Sequence, residues 1–203
     1  AGHSVEEYAA MAEKLDPSEV DMVELNISCP NVREGGVNFG TSCGMVEQVT
    51  GEVRRRLKKP LMVKLTPNVT NIGDIAAAAE AAGADCVSLI NTLTGMRIDL
   101  RTRRPILHNN TGGLSGPAVF PVAVRMVRDV YQRVKIPVVG LGGIASWEDA
   151  AEMMIAGAAA VQVGTATFRD PFAMIKIIEG LEAFAAKNGL GSITELTGTL
   201  QEW

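Results

Sequence analysis

Five short runs rich in branched and apolar residues, at 22–27, 61–65, 86–91, 136–141 and 160–164, recur along the chain with an amphipathic segment after each. This alternation confines the backbone to an α/β fold with parallel strands, because each return to the same end of a sheet needs a crossover long enough to hold a helix. The near-continuous apolarity of the runs predicts strands covered on both faces. The segments between them read as helices at 42–57, 72–82, 117–134, 147–156 and 171–187. Ala-Gly-Ala at 82–84 and again at 156–158 closes two of them alike, glycine being favoured just past a helix end. A further helix is expected from Val5 to Leu15, with Ser4 as its N-cap and Glu7 at the capping-box position.

Five units fall short of the eight strands of a closed (β/α)8 TIM barrel, and 203 residues fall short of its typical ~250. The expected fold is therefore an incomplete TIM barrel, about five βα units in one domain over residues 1–203, with about three units absent. An open doubly wound sheet would explain five strands without loss, but it carries a glycine-rich turn after its first strand, where this chain has Asn26-Ile27-Ser28-Cys29. The opening Ala1-Gly2-His3-Ser4 has no methionine, and something is expected to precede it.

A hydrophobic fraction of 47% suffices for one core. The 19 basic and 23 acidic residues leave a net charge of −4 with no basic run, which argues against nucleic acid as a partner. The longest apolar stretch, 153–163, is well short of the ~20 residues that cross a bilayer, so no membrane span is expected. Cys29, Cys43 and Cys86 are an odd set whose spacing matches neither a disulfide framework nor a zinc site, so no metal is expected and a reducing cytoplasm fits best.

If the strands are parallel, their polar ends converge on one rim, where α/β barrels keep their chemistry. Cys29, followed by Pro30, is turned out of regular structure there. An isolated cysteine is most often a small buried hydrophobe, but the amides of Asn26 and Asn31 flank this one. Lys64, between Val63 and Leu65, needs a partner or a bound anion if its strand is buried, unless it reaches water at the strand end. Gly140-Leu141-Gly142-Gly143 and, one unit later, Val163-Gly164-Thr165 have the layout of a phosphate site built after the last two barrel strands. The connection 92–116 is far longer than an ordinary βα loop. It carries Gly112-Gly113-Leu114-Ser115-Gly116-Pro117, either a third edge of that cradle or simply a helix start with proline at its first position. His108 reads as a solvated loop residue and Cys86 as a core residue. Cys43 sits at a helix start, where the dipole favours a thiolate, but without polar neighbours.

Taken together, Asn-Ile-Ser-Cys-Pro-Asn-Val at 26–32, Val-Lys-Leu-Thr-Pro-Asn-Val at 63–69, Ile-Asn-Thr at 90–92, Gly-Gly-Leu-Ser-Gly-Pro at 112–117, Gly-Gly-Ile at 142–144 and Val-Gly-Thr at 163–165 resemble the dihydroorotate dehydrogenase family. The match runs in order over essentially the whole chain, and corresponds to roughly the last two-thirds of the family's length. Val69-Thr70-Asn71-Ile72 and Met96-Arg97-Ile98-Asp99 resemble the class 1B, NAD-linked branch, and a cysteine at 29 sets the chain apart from the membrane-associated class, which has serine there. The resemblance implies an FMN-binding barrel that oxidises dihydroorotate to orotate in pyrimidine biosynthesis. Cys29 would take the proton from C5 while hydride leaves C6 for the flavin, which carries the redox chemistry. Asn26, Asn91 and Thr92 would bind the substrate. Asn26, Lys64, Ile90, Gly116, Gly142, Gly143, Gly164 and Thr165 would hold the flavin, with Lys64 beside its pyrimidine edge. Arg33-Glu34-Gly35-Gly36 would belong to a mobile cover. Electrons would pass to NAD through a partner subunit carrying FAD and a [2Fe-2S] cluster, within a heterotetramer built on a homodimer of this chain. Two alternatives stay open: the fumarate-using class 1A enzyme, which shares the cysteine, and a non-catalytic barrel fragment that needs a complementary N-terminal piece. For a bare five-strand sheet, two open edges predict self-association and poor FMN binding.

Overall fold

The computed structural model describes residues 2–28 and 39–203. Cys29 and the segment Arg33-Glu34-Gly35-Gly36 lie outside the described residues. The strands, in chain order, are β1 (Val23–Asn26), β2 (Leu61–Lys64), β3 (Cys86–Leu89), the short β4 (Leu93–Gly95), β5 (Ile98–Asp99), β6 (Arg104–Pro105) and β7 (Gly112–Leu114), then β8 (Val138–Leu141) and β9 (Ala160–Gln162). The helices are α1 (Val5–Leu15), α2 (Cys43–Arg56), α3 (Ile72–Ala81), α4 (Phe120–Tyr131), α5 (Trp147–Ala156), the single turn α6 (Ala166–Arg169) and α7 (Ala173–Asn188).

β1, β2, β3, β8 and β9 form one sheet, every neighbouring pair parallel and the spatial order the same as the chain order. A doubly wound sheet reverses its strand order partway across to bring helices onto both faces; this sheet never reverses. Its helices form a single layer, α1 against α2, α2 against α3, α3 against α4, α4 against α5 and α5 against α7. Five strands in sequence under one helical layer are an arc of an α/β barrel.

The expectation of strands covered on both faces holds for β3, buried at all four positions, and is corrected for the other four. Leu25, Val63, Val87 and Val138 share one register row, are buried, and face the helices. Asn26, Lys64, Ser88 and Val139 form the alternate row, on the inner face, and of these only Ser88 is buried. Glu24, Asn26, Lys64 and Gln162 interrupt the apolar runs at alternate positions, so outside β3 the pattern is a period-two alternation between a packed face and a mixed, partly exposed one.

Helix faces follow from 3.6-residue spacing: α2 buries Val46, Val49, Thr50 and Val53, on one stripe. Side chains cap several helix ends. Ser146 and Asp149 form a reciprocal capping box at α5, and Asn71 Oδ1 accepts from the N–H of Gly73 and Asp74 at 3.0 and 3.3 Å. At α1 the box is shifted by one residue, since Ser4 Oγ accepts from Glu7 N (3.2 Å) while the Glu7 carboxylate takes the N–H of His3 (2.6 Å) instead of that of Ser4. The helix expected over 117–134 begins as a 3₁₀ turn, Pro117–Val119, and becomes α-helical at Phe120. The long connection is ordered as two antiparallel ribbons, β4 with β7 and β5 with β6.

At the end of the sheet where strands begin, carboxylates clasp the backbone that leads into β2 and β8. Asp16 Oδ1 accepts from Lys58 N at 2.6 Å, Asp85 Oδ2 from Leu61 N at 2.7 Å, and Glu80 Oε1 from Lys135 N and Ile136 N at 2.9 and 3.1 Å. Arg54 Nη1 donates to the same Asp85 oxygen at 2.8 Å, tying α2 to the starts of β2 and β3.

The matched Ala-Gly-Ala ends behave alike: Ala84 N bonds Ala79 O and Ala158 N bonds Met153 O, both at 3.1 Å, across a positive-φ glycine. A Cβ on Gly157, at φ +135°, would lie 2.3 Å from Tyr131 Cγ, whereas one on Gly51, inside α2, would meet nothing within 4 Å. Gly157→Ala should therefore cost about 1–3 kcal/mol through strain and overlap, and Gly51→Ala should add up to about 1 kcal/mol of helix propensity. Urea unfolding midpoints that move in opposite directions for the two variants are the expected result.

Candidate active site

Strand exits set the site. Past β1, β2, β3, β8 and β9 the chain turns polar or glycine-rich, and these ends meet at one rim around a cavity of about 730 Å³. Lys64, Ile90, Asn91, Thr92, Gly116, Gly142, Gly143, Gly164 and Thr165, all singled out from sequence, line it. Asn26 is not part of that lining. It stands beside it on the inner face, in register with Lys64, its Oδ1 3.5 Å from Asn91 Nδ2.

Lys64 is half-buried and, among the described residues, its ammonium has no ion-pair or hydrogen-bond partner. A cation on the wall of a largely apolar cavity favours an anion or a group that becomes negative.

To one side of Lys64 lies a polar cluster. Ser28, 2% exposed, donates from Oγ to Asn26 Oδ1 (2.9 Å) and accepts from Asn91 Nδ2 (2.7 Å). Asn91 Oδ1 accepts from Thr92 N at 2.8 Å. Asn68 Nδ2 donates to Thr66 Oγ1 and to Thr92 O, both at 3.1 Å, and its Oδ1 accepts from Thr94 N at 3.0 Å, so the exit of β2 holds the segment entering β4. Tyr8 Oη reaches from α1 to Asn26 O at 2.8 Å and fixes the end of β1.

The other side is a glycine cradle. Among the described residues no protein acceptor is bonded to the N–H of Gly142, Gly143, Gly164 or Thr165. Converging free N–H groups are what a phosphate site needs, and the single turn α6 follows Thr165, where barrels of this kind place a short extra helix. Gly143 has φ +81°, and a Cβ there would sit 2.8 Å from Gly116 O and from Phe120 Cβ. The 112–117 segment is therefore an edge of the cradle: Thr165 Oγ1 donates to Ser115 Oγ at 2.9 Å. The N–H of Ile90 is bonded to Leu141 O at 2.8 Å, leaving its carbonyl as the backbone group open to a ligand.

Ser28, Asn68, Ser115, Arg169 and Lys176 belong to the site or its rim and were not singled out from sequence. Ser28 could have been found as the hydroxyl between two amides, and Asn68 as an amide just past a rim strand. Arg169 and Lys176 carry no local signal; they reach the cavity from α6 and α7 respectively, with Lys176 Nζ 2.6 Å from Asp170 Oδ2. No group of three metal-ligating side chains occurs among the described residues, nor any helix long and apolar enough to cross a membrane.

A barrel arc with its ligand cavity at the strand carboxyl ends and an N–H cradle after the last two strands defines an α/β-barrel protein with its site on the rim. The chain belongs to the dihydroorotate dehydrogenase family, whose model matches residues 1–185. A Geotalea uraniireducens protein named dihydroorotate dehydrogenase B (NAD(+)), catalytic subunit, is 57% identical over 200 residues, 98% of this chain and 66% of that protein. Proteins of the same name from Alkaliphilus oremlandii (54% over 200 residues) and Parabacteroides distasonis (55% over 202) are covered to the same extent. The chain thus spans 66% of the length of these relatives.

The two described thiols separate cleanly. Burial, and then the neighbouring Asp85 and Glu24 carboxylates, raise the Cys86 thiol above its ordinary value, while Cys43 is exposed. In the native protein at pH 7.5–8, roughly one unit below a free thiol, iodoacetamide should modify Cys43 and spare Cys86 until urea is added. Peptide mass mapping reads this, and native labelling of Cys86 would contradict its placement.

Proposed function

We propose that the protein of which this chain forms part oxidises dihydroorotate to orotate with FMN as the hydride acceptor, in pyrimidine biosynthesis, and passes the electrons to NAD through a partner subunit bearing FAD and an iron–sulfur cluster. The observation that carries this reading is a single cavity with an amide-rich end, a lone ammonium and a free N–H cradle in one line of strand exits. The volume falls in the usual range for cofactor sites, ~300–1,000 Å³. Bound FMN would supply the two-electron acceptor. Gly116, Gly142, Gly143, Gly164 and Thr165 would hold its phosphate and ribityl chain, the Ile90 carbonyl and Lys64 its ring, and the Lys64 charge would favour the negative charge that reduction brings to that edge. Asn91 and Thr92, with Asn26 beside them, would bind the pyrimidine and orient C6 toward the flavin. Cys29, one residue beyond buried Ser28, would accept the C5 proton, its thiol assisted by a closed site.

The half-exposed inner face, with Met22 43% exposed beside β1, supports a further part of this reading. Closing a barrel takes eight strands, so the remaining strands would come from residues outside this sequence, and the domain over 1–203 would be the carboxyl-terminal two-thirds of an FMN-binding barrel. A homodimer within a heterotetramer, in the cytoplasm, completes the proposal.

In protein of the relatives' full length, Cys29→Ala should slow flavin reduction by dihydroorotate at least ~100-fold while flavin content is kept, the lower range for losing a general base. Reduction within a few-fold of the parent in stopped-flow absorbance would remove Cys29 from that role. Lys64→Ala should weaken flavin binding and lower the flavin's reduction potential; a potential that holds or rises in dye-equilibration titration would place Lys64 away from the ring.

A further inference from the structure

We infer that Ser28 is a positioning residue that sets the hydrogen-bonding polarity of the two rim amides, turning the NH₂ of Asn26 and the carbonyl of Asn91 toward the ligand. The inference deepens the proposed function and rests on it only for the ligand's identity.

Backbone groups fix which way each amide points. The Ser28 N–H can only donate, so the Asn26 atom 3.1 Å from it is the carbonyl oxygen. The Ser28 carbonyl can only accept, so the Asn91 atom 3.1 Å away is Nδ2, and the Thr92 N–H at 2.8 Å makes the other Asn91 atom Oδ1. Between the two amides stands the Ser28 hydroxyl, 2.9 Å from Asn26 Oδ1 and 2.7 Å from Asn91 Nδ2. It gives its proton to one and takes one from the other, which a hydroxyl can do and a methyl, an ammonium or a carboxylate cannot.

The remaining capacity follows by counting. Asn26 Oδ1 is filled by the N–H and hydroxyl of Ser28, and the Asn91 Nδ2 hydrogens are held by the carbonyl and hydroxyl of Ser28, closer than the direct 3.5 Å contact between Asn91 Nδ2 and Asn26 Oδ1. Left without a protein partner among the described residues are the Asn26 NH₂ and one lone pair of Asn91 Oδ1. The ligand that satisfies both offers an acceptor to Asn26 and an N–H to Asn91, as a cyclic ureide bearing a carboxylate does. At 2% exposure Ser28 meets no ligand itself; it acts through its two neighbours. Loss of its hydroxyl leaves their backbone bonds and the long direct contact between them, but removes the two short bonds that clamp the amides together.

The test uses protein of the relatives' full length, flavin-loaded, with ¹⁵N-asparagine labelling. Hydrogen exchange of the Asn91 side-chain NH₂ should be slow in the parent and at least tenfold faster in Ser28→Ala. Orotate affinity, read by titration calorimetry, should fall about tenfold in Ser28→Ala with flavin content unchanged. In an Asn91→Ala background the same substitution should cost much less. Unchanged Asn91 exchange, or an orotate loss that simply adds to that of Asn91→Ala, overturns the inference. A parent that fails to bind orotate, while Ser28→Ala still frees the Asn91 hydrogens, sinks the proposed function and upholds the positioning role.

Discussion

The parallel, unreversed pairing of β1, β2, β3, β8 and β9 is the constraint on which everything else in this molecule depends. Once Leu25, Val63, Val87 and Val138 are aligned in one row against the helices, Asn26, Lys64 and Ser88 are aligned in the next on the opposite face. A slip of one residue in any strand would turn its polar set into the helical layer and its apolar set into the cavity. Because no strand runs backward, every exit loop reaches the same rim, and residues as distant in sequence as Ser28, Asn91 and Thr165 belong to one neighbourhood without any long-range device.

The two ends of that sheet are built for different tasks. Where strands begin, Asp16, Asp85 and Glu80 take backbone N–H groups of the incoming loops, and the hydrogen bonds from Lys58 and Lys59 hold the Asp16 carboxyl below the usual range. Those bonds satisfy the backbone and leave nothing for a ligand. Where strands end, the opposite holds: the N–H groups of Gly142, Gly143, Gly164 and Thr165 have no protein acceptor among the described residues, and Lys64 has no counter-charge there. Stability is concentrated at one end and binding capacity at the other, the division expected of an α/β barrel.

The βα alternation, the arc of a barrel and the membership of the cavity lining were legible in sequence because each rests on local chemistry: apolar runs make strands, glycines past strands make close approaches, and Ala-Gly-Ala ends helices. Sequence misjudged the inner face, since Met22-Val23-Glu24-Leu25 reads as a continuous apolar run although Glu24 alternates with Leu25 across the sheet. It was silent on the ribbons inside 92–116, where two- and three-residue strands carry too little pattern to register. Arg169 and Lys176 were invisible for another reason: their approach to the cavity is decided by how α6 and α7 pack, not by their own neighbours in the chain.

The cavity itself is a consequence of what side chains are missing. A Cβ on Gly142 would come within 3.0 Å of both Ala123 and Ile90, and one on Gly143 would press on Phe120 and on the Gly116 carbonyl. The loop after β8 can thus lie flat on α4 and against the 112–117 segment only with bare backbone at those two positions. That closeness is what draws Gly116 and Ser115 over to Thr165, so one end of the cavity is formed by backbone that has nowhere else to donate. At the other end the same economy of space works through side chains, where a single buried hydroxyl bridges two amides. Between those two walls stands Lys64, half-buried and without a counter-charge among the described residues, so the cation in the cavity is held in place by the strand it leaves and not by an ion pair.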